Sequence, residues 1–235
     1  FVSAQQHPTG QALRPRSSDV AQGQLLTQAG ERINAAHLMH ALAQQIHTVD
    51  VWQSIRVAVA FTGKEIKKPS QNPLKDTQSP NTVARYLSAV LPTVDIRLVK
   101  TAYTKDSEAK LERTIAQWLA DDAIDVIITT GGASKGKVDF VKKTMQRLGL
   151  ECAFRSLHMR PGHPSAAFYN RHKSVFCLPG NPLSAICTFE HIIYPWIRHK
   201  RQQPAIIPQY AQLHSSWQPN STDLLIRCGH LISTP

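Results

Sequence analysis

The sequence has few cysteines, few aromatics, a shortage of acidic residues and no long apolar run, and each shortage closes a class of function. Its four cysteines, Cys152, Cys177, Cys187 and Cys228, show no CxxC pair and no Cys/His spacing, so a zinc site or dithiol centre has no ligand set to draw on. Cys177 and Cys187 flank a Gly/Pro turn in apolar surroundings; they are expected as buried structural thiols of a protein in a reducing, cytoplasmic setting. No apolar stretch approaches the roughly 18 residues of a membrane span, and the N-terminus lacks a charged-then-apolar signal pattern. A membrane partner is therefore not expected. Aromatic residues make up 7% of the chain and form no basic-aromatic platform, which argues against a nucleic-acid partner. Sixteen Asp plus Glu against 27 Lys plus Arg leave a formal net charge of +11. That balance favours a small anionic substrate such as a phosphate ester or an oxyanion. The tightest basic groups, Lys64/Lys67/Lys68 and Arg198/Lys200/Arg201, read as solvated surface.

The 235 residues, 42% of them hydrophobic, are enough for one sizeable core with appendages. A start at Phe1 and an end at Ser233-Thr234-Pro235 suggest a piece of a longer chain. Residues 1–22 are rich in Gln, Ser, Pro and Arg and are expected as loop. From Gly23 a short strand and turn are expected, then a helix capped by Asn34 with Leu38, Leu42 and Ile46 along one face, and a brief strand at Val49-Asp50-Val51-Trp52. From Ile55 short apolar runs alternate with amphipathic helices, the pattern of a mostly parallel, doubly wound α/β sheet in three layers, with β-rich segments on either side. The strands are expected at 55–61, 94–99, 124–129, 152–157 and 174–178, and the helices at 80–91, 107–121, 138–148 and 182–199. The Lys/Pro-rich residues 64–79 form a long loop after the first strand, at the sheet edge where open α/β folds bind ligands. The organisation expected is a partial domain over 1–53, the α/β domain over 54–203, and the start of a β domain over 204–235.

Three loops carry the chemistry. Thr129-Thr130-Gly131-Gly132-Ala133-Ser134-Lys135-Gly136-Lys137-Val138-Asp139 follows a strand and opens a helix. Its glycines let an anion approach the backbone, free amides at the helix start hold it, Ser134 donates to it, and Asp139 is placed to hold Mg²⁺ or position a water. The bland alternative is a glycine-rich turn capped by Ser134. Leu178-Pro179-Gly180-Asn181-Pro182-Leu183-Ser184-Ala185 is a rigid loop before another helix, with Pro182 at its first position and Asn181 as the alternative N-cap. In Met159-Arg160-Pro161-Gly162-His163-Pro164, Arg160 is suited to clamp an oxyanion and His163 to donate or accept a proton.

In this order and spacing the three elements resemble the molybdopterin molybdenumtransferases, the bacterial MoeA proteins and the E domains of gephyrin. Those proteins carry Ser/Thr-Gly-Gly-x-Ser-x-Gly-Asp/Glu-x-Asp, Pro-Gly-Lys-Pro, and Leu-Pro-Gly-Asn-Pro-Val-Ser-Ala followed by Thr-Phe; here the last continues through Ile186-Cys187-Thr188-Phe189. The resemblance covers about residues 23–203. It implies the MoaB/Mog-like molybdopterin-binding fold and insertion of molybdate into adenylylated molybdopterin, with Mg²⁺ assisting AMP release. By position it implies Asp139, Ser134 and Arg160 as catalytic, with Asp139 and Glu65 at the metal. Thr130, Gly131, Gly132, Gly136, Asp76, Gly162, His163, Pro179, Gly180, Asn181, Pro182 and Ser184 would line the substrate. It further implies a homodimer for the full-length protein.

The chain departs from those patterns in four places. Lys64 and Lys137 replace acidic residues, His163 replaces the lysine of Pro-Gly-Lys-Pro, and Asp76-Thr77-Gln78 stands for Asp-Ser-Asn. Two lost carboxylates weaken a Mg²⁺ site. A molybdopterin adenylyltransferase and a catalytically degenerate scaffold therefore stay open beside the insertion enzyme, with Ala133-Ser134 and Asn181 favouring insertion over adenylylation.

Overall fold

Strands arise here where β-branched and aliphatic residues run unbroken between turn residues, because such side chains fill a surface buried on both faces. The chain is described from a computed structural model covering residues 10, 13–63, 66–67, 79–104, 107–131, 138–212, 214, 216, 218, 222–227 and 229. The run IRVAVAF forms β1 (Ile55–Phe61), and VIITT forms β5 (Val126–Thr130), buried throughout. SVFCL forms β9 (Ser174–Leu178). Between them lie β2 (Ile66–Lys67), β3 (Ser79–Pro80), β4 (Ile96–Tyr103), β6 (Glu151–Phe154), β7 (Met159–Arg160) and β8 (Ala166–Tyr169), and β10 (Leu224–Leu225) follows. Six of these make one sheet in the order β4-β1-β5-β9-β8-β6. The pairs β4/β1, β1/β5 and β5/β9 are parallel, and β9/β8 and β8/β6 antiparallel.

Helices cover both faces. Val57, Val59 and Phe61 of β1 pack with Val83, Leu87 and Leu91 of α2 (Thr82–Thr93) and with Phe189, Ile193 and Ile197 of the last helical stretch. Ala58 and Ala60 face the other way, onto Leu111, Ile115 and Trp118 of α3 (Glu108–Leu119) and Val141 and Met145 of α4 (Val138–Arg147). Alternate residues of one strand thus serve two cores. Each fully buried Leu or Ile contributes about 1.5–3 kcal/mol, so truncating the wholly buried Leu87 to Ala would cost about 2–5 kcal/mol.

The last stretch was expected as one helix and is built in three parts: α5 (Pro182–Thr188), a π turn (Phe189–Ile193) and α6 (Tyr194–Lys200). Tyr194 N–H donates to Phe189 O across the wide turn. The Tyr86 hydroxyl donates to the Glu190 carboxylate within it; burial first, and that carboxylate second, hold the phenol well above its ordinary range.

The chain divides into two units, residues 1–52 with 198–204 and residues 53–197 with 205–235. In the first, α1 (Ala35–Ala43) begins at Asn34, whose side chain accepts from His37 N while the His37 ring accepts from Asn34 N. Histidine here closes a capping box more often closed by Glu or Gln. The expected strands after Gly23 and at 49–52 do not form among the described residues. A strand needs a partner ladder, and the Val49, Val51 and Trp52 side chains stay exposed. Likewise β6 stops at Phe154 rather than residue 157, since the ladder supplied by the four-residue β8 ends at the pairing of Ala167 with Phe154.

Candidate functional site

The chain runs from β1 through α2 outward to β4, then crosses back through α3 to β5 on the opposite side of β1. The winding therefore reverses between β1 and β5, and the carboxyl edge of such a switch point is where open α/β sheets hold ligands. Hydrogen bonding continues one residue beyond each strand there. Thr104 N–H donates to Phe61 O at 3.0 Å, Thr62 N–H to Thr130 O at 2.8 Å, and Gly131 N–H to Leu178 O at 3.3 Å. The Thr62 hydroxyl adds a second bond to Thr130 O at 3.0 Å. Thr62, Thr104 and Thr130 are buried, so these bonds lie away from solvent.

Gly131 has φ +89°, and a Cβ there would meet Thr62 O inside contact distance and Thr62 Oγ1 at 2.7 Å; a Cβ at Gly180 would come 3.2 Å from Gly131 Cα. The ends of β1, β5 and β9 thus approach to a spacing that only side-chain-free backbone permits. Thr62, the residue that crowds Gly131, stands directly after the buried strand β1.

The loop of Arg160 reaches the same edge, because β8 runs antiparallel to β9 and enters it at Ala166, opposite Cys177. Within that loop the Arg160–Pro161 bond is cis, and Gly162 has φ +125°. A Cβ on Gly162 would press on the Met159 side chain and lie 3.0 Å from Thr188 Oγ1. Two buried hydroxyls clamp the turn to α5. Ser165 Oγ lies 2.7 Å from Gly162 O, Thr188 Oγ1 2.8 Å from Ser184 O, and the two hydroxyl oxygens 2.8 Å apart, so one hydroxyl donates to the other and the other to its carbonyl. Sequence reasoning carried Thr188-Phe189 only as part of a motif; here Thr188 joins two loops and Phe189 packs edge-on against Tyr86.

Asn181 caps α5, its side-chain oxygen accepting from Ser184 N at 3.2 Å, and Pro182 takes the first helical position. Pro179 is buried, Ser184 half-buried, and Gly180, Asn181 and His163 exposed. The His163 carbonyl accepts from Leu157 N at 2.9 Å. Arg160 is exposed and ion-paired through Nε to Asp223, a residue with no role in the sequence reading. Gly132, Ser134, Gly136, Glu65 and Asp76 lie outside the described residues, as does the side chain of Asp139 on the first turn of α4. Among the described residues no three His, Cys, Asp or Glu side chains gather as metal ligands.

Beside the edge, burial pushes the Cys177 thiol up to about 11, with the Thr129 hydroxyl acting in the opposite sense. Cys177 and Cys187 are the buried thiols expected, whereas Cys152 is exposed.

Known proteins resemble this chain in sequence and in fold. A molybdopterin molybdenumtransferase of Synechococcus elongatus is 30% identical over 206 residues, 86% of this chain and 51% of that protein. One of Haemophilus influenzae is 29% identical over 188 residues, 80% and 45% respectively. The crystal structure of a molybdopterin biosynthesis MoeA protein from Pyrococcus horikosii superposes with a TM-score of 0.70 at 26% identity, covering 79% of this chain and 45% of that one. The chain thus spans about half the length of the relatives it matches. Residues 58–199, more than half of the chain, match the family described as probable molybdopterin binding domain, and this chain belongs to that family.

Proposed function

We propose that the chain is the molybdopterin-binding part of a molybdopterin molybdenumtransferase, taking adenylylated molybdopterin and molybdate, placing the metal at the dithiolene and releasing AMP. The observation that carries this reading is the meeting of Thr62, Gly131 and Gly180 at the switch point of the sheet. Phosphates and molybdate are multiply charged oxyanions, and a sheet edge whose glycines let a ligand approach the backbone, with the loop of Arg160 at the same edge, suits them. Arg160 supplies a positive charge with a planar, two-nitrogen face. Thr188 and Ser165 fix the loop that carries it relative to α5. The net charge of +11 favours capture of such anions.

By the resemblance, Asp139 and Glu65 would hold a Mg²⁺ ion, which would neutralise phosphate charge as AMP leaves. We assign residues 1–53 and 204–235 to the flanking domains of the full-length protein, a homodimer of the cytoplasm.

Titration calorimetry of the purified chain with molybdate, and separately with AMP, tests the reading. Saturable binding that is lost in Arg160→Ala and Gly131→Ala supports it. A folded chain that binds neither ligand refutes it.

A further inference from the structure

We infer that Asp223 is a positioning residue for Arg160, aiming the guanidinium at the anion from a strand that the C-terminal segment adds beside it. This rests on the reading that Arg160 meets the substrate anion. The Arg160 side chain is 63% exposed and its partner Asp223 only 9%. Packing therefore does little to select a rotamer for Arg160, whereas the carboxylate is built in.

Backbone pairing holds that carboxylate in place. Strand β10 runs parallel to β7, with Leu224 opposite Met159 and Leu225 opposite Arg160. Leu224 N–H donates to His158 O and Ile226 N–H to Arg160 O, both at 2.8 Å. Residues two apart share a face of a strand, so Asp223, two before the partner of Arg160, lies on the face that His158 and Arg160 share, and its Oδ1 also lies 3.4 Å from His158 Nδ1. The contact to Arg160 runs through Nε, the stem end of the guanidinium. The terminal pair of nitrogens is then the end that meets a two-oxygen face of molybdate, the geometry in which arginine binds oxyanions most specifically. A tether at Nε orients this fork without occupying it.

The roles of acceptor and charge separate in two variants. Asp223→Asn keeps an oxygen that accepts from Nε and removes the charge; Asp223→Ala removes both. Two readouts apply, the solvent exchange of the Arg160 Nε–H by ¹⁵N NMR and the Kd for molybdate by calorimetry. The Arg56 Nε–H, bonded to Asp125 at 3.0 Å, serves as an internal reference for folding. Asp223→Ala is expected to expose the Arg160 Nε–H to exchange, leave that of Arg56 unchanged, and weaken molybdate binding about tenfold, as loss of an orienting partner does. Asp223→Asn is expected to keep the protection and bind molybdate at least as tightly as the unaltered chain. Equal exchange in the unaltered chain and Asp223→Ala would overturn the tether and leave the function standing. Tighter binding in Asp223→Ala would make Asp223 a competitor of the anion and overturn the inference as well. If Arg160→Ala binds molybdate unchanged, the function assigned to Arg160 fails, and this inference fails with it.

Discussion

Replacing Gly131 by alanine tests whether the ends of β1 and β5 meet as closely as described. The new Cβ would sit inside the contact distance of Thr62 O and 2.7 Å from Thr62 Oγ1, atoms that cannot swing away because Thr62 is bonded twice to Thr130 O. The backbone at φ +89° costs a residue with a Cβ about 1–2 kcal/mol. Moving Thr62 weakens its two bonds to Thr130 O and the Gly131 bond to Leu178 O, each worth about 0.5–1.5 kcal/mol. The sum is about 2.5–6.5 kcal/mol, or a fall in Tm of roughly 5–26 °C for a domain of this size. Gly149 is the control. It also has a positive φ, +74°, but a Cβ there would meet nothing within 4 Å, so Gly149→Ala is expected to cost only the backbone contribution of about 1–2 kcal/mol. Urea unfolding followed by circular dichroism compares the two. Equal midpoints for both variants would refute the crowding at Gly131, and with it the observation on which the proposed site rests.

Thr188→Val deletes the hydroxyl that joins the Gly162 turn to α5, and is expected to cost about 1–3 kcal/mol and weaken molybdate binding; a Kd unchanged in calorimetry would separate the clamp from the site. Lys173 is buried and donates to Trp118 O at 3.0 Å and to Asp121 O at the end of α3. Lys173→Met should cost about 2–3 kcal/mol in urea unfolding, as loss of charged hydrogen bonds does. The Asp125 carboxyl is held below its ordinary 3.8 by the Arg56 guanidinium, against an opposing effect of burial. A lowered folded value means a contribution present above the unfolded value and lost as pH falls through the folded one. Asp125→Asn should therefore lower the urea midpoint at pH 7, and the gap to the unaltered chain should narrow as pH falls below about 4; a gap unchanged between pH 7 and pH 2 would refute this. Brief alkylation at pH 8 with peptide mapping should label Cys152 and spare Cys177, which is buried and weakly ionised.

The parallel half of the sheet was readable because each strand there is a continuous apolar run bounded by turn residues, and β1 and β9 fall on the expected residues. Strand β4 extends to Tyr103, past the expected residue 99, because after a bulge at Val99 it goes on pairing with β1 as far as Phe61, at the sheet edge, where the exposed Lys100 and Thr101 are tolerated. Strand β8 escaped notice for a different reason. Ala-Ala-Phe-Tyr has no period of its own, and it becomes a strand by pairing antiparallel with β9. The same limit applied to the site. Glycines and prolines announced the three loops, since their backbone demands are local. Nothing local joins Arg160 to Asp223, or Ser165 to Thr188, because those contacts follow from register and helix packing. The π turn was equally hidden, its Phe-Glu-His-Ile-Ile being compatible with an ordinary helix.

That π turn has a consequence for proton placement. The His191 Nδ1 lies 3.0 Å from Cys187 O, and a carbonyl oxygen can only accept. The ring proton of neutral His191 is therefore fixed on Nδ1, and the lone pair is left on Nε2. When the ring gains a proton it gains it at Nε2, so the side chain changes charge without releasing the helix backbone. Long-range ¹H–¹⁵N correlation would show the Nδ1–H tautomer.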